Sequence, residues 1–267
     1  MRENALFTPS EARKMGLDFE EPAAASCRWC GKPLTPLGTE FMGQVHWVAS
    51  GPCGCGGELA DRERAERAKR AEREKKVAEK VAASGVTRRF ANARTSIPEI
   101  GDFLAGFDRH GGNGLYLSGA VGSGKTHAAS ALARALVYEG RSVVLTNTLA
   151  MLDSIQATYG RDGSRTGGVG RFAGCDLLIL DDLGKENGNG WALATIFQVV
   201  NARYEDMRPI VVTSQYTLPA LARRLGRAGE RESADAIASR LFETCDTVAL
   251  PDIDHRKAKG KPWLSGA

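Results

Sequence analysis

Gly119-Ala120-Val121-Gly122-Ser123-Gly124-Lys125-Thr126 is the stretch that decides the fold of this 267-residue chain. It fits the pattern G-x-x-x-x-G-K-[ST], in which glycines let backbone N–H groups turn inward around an anion and the following helix adds its positive end. Leu115 to Ser118 before it reads as a buried strand, and Lys125 to Tyr138 after it as a helix, the context a phosphate loop needs. Lys125 is then the candidate to reach the β and γ phosphates of ATP, and Thr126 the hydroxyl offered to Mg²⁺. Gly119, Gly122, Ser123, Gly124 and His127 complete the nucleotide-contacting set. The bland alternative is a glycine turn with an exposed lysine.

Outward from the loop, short apolar or β-branched runs alternate with helical stretches from about Val86 onward, which predicts an α/β domain with a parallel sheet. Further strands are expected at Ser142 to Thr146, Leu177 to Leu180, Ile210 to Thr213 and Thr247 to Leu250. Further helices are expected over Leu149 to Tyr159, Trp191 to Met207, Leu218 to Leu225 and Ala234 to Phe242. Asp176-Leu177-Leu178-Ile179-Leu180-Asp181-Asp182 ends in two carboxylates at the strand's C-terminal edge, where α/β folds bind ligands. Asp181 is the choice for the magnesium side. Asp182 would orient or deprotonate an attacking water, unless the pair merely caps the next helix. Gln215, beyond the run Pro209 to Thr213, is the polar amide for the γ-phosphate or the water, or else a turn residue. Arg240, in Ala238-Ser239-Arg240-Leu241, can stabilise a transferring phosphoryl group, including in trans from a neighbouring subunit; a local pair with Asp235 or Glu243 is the alternative.

Upstream the chemistry changes. Residues 1–57 are rich in Gly, Pro and Cys, with turn signals such as Lys32-Pro33 and Ser50-Gly51-Pro52, so a small, loop-built module is expected. Cys27-Arg28-Trp29-Cys30-Gly31 reads as a metal knuckle and Cys53-Gly54-Cys55 as the other half of a structural Zn²⁺ site, with His46 held as a substitute ligand. Free or redox thiols are the competing reading. Cys175 and Cys245 stand alone and read as small hydrophobes. Trp29, Phe41 and Trp47 form either the core of the module or an exposed anchor. Residues 58–84 are a charged linker made of strong helix formers, with Glu58 and Arg62, Glu63 and Arg67, Glu66 and Arg70, and Glu72 and Lys76 at favourable four-residue spacing. A solvated connecting helix is the expectation there, ahead of a DNA-gripping arm. Residues 85–267 are the catalytic domain. Within it Gly160 to Gly174 reads as a mobile loop whose Arg161, Arg165 and Arg171 can track a phosphate backbone.

Composition narrows the classes. With 42% hydrophobic and 25% charged residues, wholesale disorder is excluded. No apolar run reaches about 18 residues, which excludes a spanning helix and argues for the cytoplasm. The net charge of +4 permits a nucleic-acid partner without requiring one.

Taken together, these residues resemble the AAA+ ATPases of the bacterial helicase-loader type, the DnaC/DnaI family, and the related IstB-like transposition helpers. The resemblance rests on Ser84-Gly85-Val86-Thr87-Arg88-Arg89-Phe90, Gly119 to Thr126, Leu178 to Gly184, Thr213-Ser214-Gln215, Ser239-Arg240-Leu241 and Asp254-His255-Arg256. Two positions depart from the family pattern: Gln215 stands where Asn is usual and His255 where an aromatic is usual. The family implies a P-loop core with a five-stranded parallel sheet flanked by helices, and ATP with Mg²⁺ as ligands. It also implies self-association into a ring or spiral, here through Arg240, and contact with single-stranded DNA. No C-terminal lid is expected after Arg240. DnaI-like loaders carry a zinc-bearing N-terminal domain that engages a hexameric replicative helicase, which assigns 1–57 to partner binding by analogy. The IstB-like alternative would act on double-stranded DNA with a transposase. A nucleotide-gated adaptor with little turnover is a third reading.

Overall fold

The computed structural model describes residues 6–41, 43–158, 167–185, 190–228 and 231–255. It divides into two compact units, Met1–Lys75 and Lys76–Ala267. The charged linker is therefore not a body of its own. It forms one helix, α2 (Gly56–Ala83), whose first part belongs to one unit and whose last two turns belong to the other.

The first unit holds more regular structure than its turn signals suggest. Helix α1 (Pro9–Lys14) is closed at its start by Thr8, whose Oγ1 accepts from the Glu11 N–H while the Glu11 carboxylate accepts from the Thr8 N–H. Strands β1 (Pro36–Phe41) and β2 (Gln44–Ser50) pair antiparallel, with a register shift beside Gly38. Gly38 is required there because a Cβ would meet the Trp47 ring at 2.7 Å. Trp47 collects Phe7 and Phe19 edge-on and donates its indole N–H to the Glu20 carbonyl at 2.9 Å. Of the three aromatics, then, only Trp47 builds the core; Trp29 and Phe41 are exposed. Ala12 and Cys27 are the only buried apolar residues among the described residues of this unit. Ion pairs on α2 include Arg62 with Glu66, Arg64 with Asp61, Arg67 with Glu63 and Arg70 with Glu74, and Asp61 also pairs with Arg28. Glu66 thus turns back to Arg62 instead of forward to Arg70. Glu58 accepts from the Gly54 N–H in place of pairing with Arg62.

In the second unit α3 (Pro98–Ala105) precedes β3 (Gly114–Ser118) and α4 (Lys125–Tyr138), followed by β4 (Val143–Asn147) and α5 (Thr148–Gln156). Then come α6 (Gly167–Gly174), β5 (Leu177–Leu183), α7 (Gly190–Glu205), β6 (Ile210–Ser214), α8 (Leu218–Leu225), α9 (Arg231–Thr244) and β7 (Cys245–Ala249). The five strands form a wholly parallel sheet in the order β4-β5-β6-β3-β7, as expected. Strand alternation sorts the apolar side chains to two faces. Tyr116, Leu178, Leu180, Ile210 and Val212 pack with α5 to α9 on one face; Leu115, Leu117, Leu177, Ile179 and Val211 pack with α3, α4 and the end of α2 on the other. Phosphate-loop and acidic residues are thereby carried on central strands with a helical layer on each side.

Two expectations are corrected. Gly167–Gly174 is helical, its Val169 and Phe172 buried in the core, so that part of the Gly/Arg-rich stretch is no loop; Arg161 and Arg165 lie outside the described residues. Strand β7 begins at Cys245, two residues before the expected start, since the buried Cys245 already pairs with Gly114 of β3 and Asp246 with Leu115. Ser84-Gly85 runs beside the edge strand β4, the Leu145 N–H donating to the Ser84 carbonyl at 2.7 Å. A Cβ on Gly85 would collide with the Leu145 carbonyl, which explains the glycine. No helix of the described residues is long and apolar enough to cross a membrane.

Candidate active site and metal centre

β3 ends at Ser118, and the loop 119–124 then turns through three glycines in the left-handed region, Gly119, Gly122 and Gly124. Such φ values are cheap only for glycine. The segment after β7 lies along the outer side of this loop. Leu250 donates its N–H to the Ser118 carbonyl and His255 its N–H to the Gly122 carbonyl. A Cβ on Gly122 would strike the Asp254 carboxylate. Lys125, buried at the start of α4, donates through Nζ to the carbonyls of Gly119 at 2.7 Å and Ala120 at 2.8 Å. His127 is exposed, with its ring edge-on to Phe90.

The acids sit opposite the loop. Thr126 Oγ1 donates to the Asp181 carboxylate at 2.9 and 3.1 Å, and Thr213 Oγ1 donates to Asp181 Oδ1 at 2.6 Å. Burial raises the Asp181 carboxyl above the usual aspartate range, while the two threonine hydroxyls pull it back. A regular strand would throw Asp181 and Asp182 to opposite faces. Here the register slips between Leu180 and Leu183, so that β5 spends one more residue than β6, and Asp182 takes φ +61. This bulge re-aims the second acid. Thr213 anchors it by accepting the Asp182 N–H at 2.9 Å, and Lys185 Nζ pairs with Asp182 Oδ2 at 2.8 Å.

Thr213 was named in the sequence only within Thr213-Ser214-Gln215 and was given no role at the site, since it reads there as a β-former closing an apolar run. Its one visible signal is a hydroxyl that follows directly on the apolar run Ile210, Val211 and Val212. Gln215, the expected amide, is half-buried just past β6, and the group that reaches the acids from this strand is Thr213 instead. Arg240 pairs with neither Asp235 nor Glu243. Its Nε donates to Asn201 Oδ1 at 2.8 Å, and its guanidinium lies over the rings of Phe197 and Tyr204 at 4.8 and 5.4 Å. Arg171 is exposed on α6 beside Phe172, whose ring is buried and unable to stack on a base.

The four N-terminal cysteines converge: the sulfurs of Cys27, Cys30, Cys53 and Cys55 all lie within 4.8 Å of one another. Cys27 to Cys55 is 3.7 Å and Cys30 to Cys53 is 3.4 Å. Tetrahedral thiolates at about 2.3 Å from zinc stand about 3.8 Å apart, so the set fits that ion. His46 is exposed on β2 and outside the cluster, which removes it as a substitute ligand. Backbone N–H groups of Trp29 and Cys30 draw the Cys27 thiol down to about 7, whereas its sulfur neighbour Cys30 pushes Cys53 up to about 12. One thiolate among four crowded sulfurs resists the ionisation of the rest, a conflict that a bound dication resolves. The thiols are free and not disulfide-bonded.

A phosphate loop on the first strand of a 4-5-6-3-7 parallel sheet, facing a buried carboxylate held by the loop's own threonine, defines a P-loop nucleotide-binding protein of the AAA+ class. A model of the IstB-like ATP binding proteins matches residues 57–261. The chain belongs to that family. An insertion sequence ATP-binding protein of Sinorhizobium fredii is 32% identical over 103 residues, 39% of this chain and 34% of the relative. The replicative helicase loader DnaC of Escherichia coli is 24% identical over 148 residues, 55% of this chain and 57% of the loader. The chain thus spans a third to just over half of the length of these relatives. Among solved structures, DnaI aligns with a TM-score of 0.51 at 22% identity over 58% of this chain and 82% of that one. The DnaC helicase loader aligns with 0.50 at 24% over 62% and 100%. Both likenesses are of fold.

Proposed function

We propose that this protein is an ATP-hydrolysing helicase loader of the cytoplasm, which binds single-stranded DNA and recruits a hexameric replicative helicase. The observation that carries the ATPase reading is the cluster Thr126, Asp181 and Thr213, a buried carboxylate bound by two hydroxyls directly beside a glycine-rich loop. Such oxygen donors suit Mg²⁺, which is held by one or two carboxylates together with substrate phosphates. When bound, the ion would supply charge neutralisation at the β and γ phosphates. Gly119, Gly122, Ser123 and Gly124 would line the phosphates with backbone N–H groups, and Lys125 would leave its loop carbonyls to bind them. Asp181 and Thr126 would hold the ion. Asp182 would orient the attacking water and take its proton. Arg240, stacked and hydrogen-bonded on the α7–α9 surface, is preorganised to reach the phosphates of a neighbouring subunit in a ring or spiral.

The cysteine centre supports the loader over the transposition helper, since it adds a metal-stapled unit in front of the ATPase. A transposition helper is favoured by the 32% identity to an insertion-sequence protein. Phosphate release with and without DNA tests the chemistry: Lys125→Ala should abolish it, and turnover that survives this change contradicts catalysis at the loop. Capture separates the two partners. Full-length protein should retain a hexameric helicase on single-stranded DNA, and Cys30→Ser should lose it while keeping ATPase activity. Retention of a transposase on double-stranded DNA instead selects the second reading.

A further inference from the structure

Lys185 is a lysine just past the acids, and nothing in the loop chemistry accounts for it. The chain leaves β5 through two left-handed residues, Asp182 at φ +61 and Gly184 at φ +99. Between them the backbone doubles back far enough to bring Lys185 Nζ to 2.8 Å from Asp182 Oδ2. Gly184 permits the turn, because a Cβ there would press on Leu221 at 2.9 Å and on the Tyr216 ring at 3.0 Å. The carbonyl of Gly184 is gripped in turn by Arg224 Nε at 3.3 Å.

We infer that Lys185 is a positioning residue for Asp182, the bulge and the ion pair together fixing which carboxylate oxygen faces the attacking water. The inference rests on the reading of Asp182 given above. The acid is restrained at both ends: its N–H is bound to Thr213 Oγ1 at 2.9 Å, and its Oδ2 is bound to Lys185. With the backbone set and one oxygen occupied, rotation of the carboxylate is disfavoured and Oδ1 is the oxygen left to accept from water. A loosely held base loses rate because few of its orientations are productive. Both partners are partly solvated, with side chains 51% and 32% exposed, so the pair is a weak source of stability and its loss leaves the fold intact. Charge matters too. An unpaired Asp182 would add a second negative group beside Asp181 at a site meant for a polyanion, and Lys185 offsets it.

The test uses the full-length protein with Lys185→Met, which keeps the apolar stem, Lys185→Arg, which keeps the charge, and Asp182→Asn. Steady-state phosphate release gives kcat and KM, calorimetry with Mg²⁺ and ADP gives affinity, and thermal melting reports the fold. Lys185→Met should lower kcat about tenfold, leave KM and ADP affinity within about twofold, and leave the melting temperature unchanged; Lys185→Arg should restore most of kcat. Asp182→Asn should lose turnover while still binding ADP. If Asp182→Asn is inactive but Lys185→Met turns over at the parent rate or faster, the positioning role is overturned and the function of Asp182 stands. If Asp182→Asn turns over normally, the assignment of Asp182 falls and the role of Lys185 falls with it. A lowered melting temperature in Lys185→Met that Lys185→Arg does not repair also overturns the inference, by showing a structural role.

Discussion

A single hydroxyl joins the two acids of the site: Thr213 Oγ1 donates to the Asp181 carboxylate and accepts from the Asp182 N–H. Thr213→Val keeps the shape and removes both bonds, leaving a buried N–H and a carboxylate oxygen without that partner. We expect a loss of about 1–3 kcal/mol in urea unfolding together with a fall in phosphate release, both recovered by Thr213→Ser. Gly122 answers to a different neighbour. It holds φ +87 and lies against Asp254, so Gly122→Ala costs about 1–2 kcal/mol in backbone conformation alone and must also displace that carboxylate. Nucleotide affinity measured by calorimetry should drop with it. The glycines and both aspartates were readable from spacing, since their chemistry is local to one motif. Thr213, Lys185 and the approach of Asp254 were not. They reach the site across 31 or more positions or through a backbone turn, and no local pattern encodes such approaches.

At the scale of elements, the central strands β3, β5 and β6 were legible because each is a short, mainly apolar run buried on both faces. The bulge in β5 was hidden, because nothing in Leu180-Asp181-Asp182-Leu183 distinguishes a slipped register from a regular one. Helix α6 was hidden by its glycines, which argue against helix until Val169 and Phe172 find the core. What secures that region is Arg203 on α7, fully buried and bonded to the carbonyls of Phe172, Ala173, Cys175, Asp176 and Pro209. Arg203→Met would strand these acceptors and should cost about 3 kcal/mol or more in urea unfolding. Nearby, β4 and β5 are tied at their starts by Asp176, which accepts from the Ser142 N–H at 2.8 Å and donates its own N–H to Ser142 Oγ at 2.9 Å. The Ser142 bonds hold its carboxyl below the usual aspartate range. A carboxyl lowered in the folded state adds stability above its unfolded value of about 3.9 and loses it as pH falls through the folded one. Asp176→Ala should therefore destabilise by about 1 kcal/mol near neutral pH, and melts taken below pH 4 should show the gap closing.

On the scale of the whole molecule, the two units are held together by different means. Residues 76–267 bury two apolar layers against a sheet, whereas the described part of 1–75 buries only Ala12 and Cys27 among its apolar side chains. A structural metal at the four cysteines would staple so small a body, since zinc supplies about 10–16 kcal/mol of apparent binding energy in comparable modules. We expect one zinc per chain by elemental analysis. A strong chelator should expose 1–75 to protease while 76–267 stays resistant, and unchanged resistance of both would contradict a metal-dependent fold. The convergence of the four cysteines was legible in the sequence, since two close pairs at short spacing are rare outside metal centres. The hairpin and the Trp47 cluster beside it were obscured by the proline and glycine of the same segment.

The amine of Lys125 clasps the carbonyls of Gly119 and Ala120 in its own loop. An arriving triphosphate must therefore compete with the backbone for that cation, and the affinity it displays is a difference between two sets of bonds.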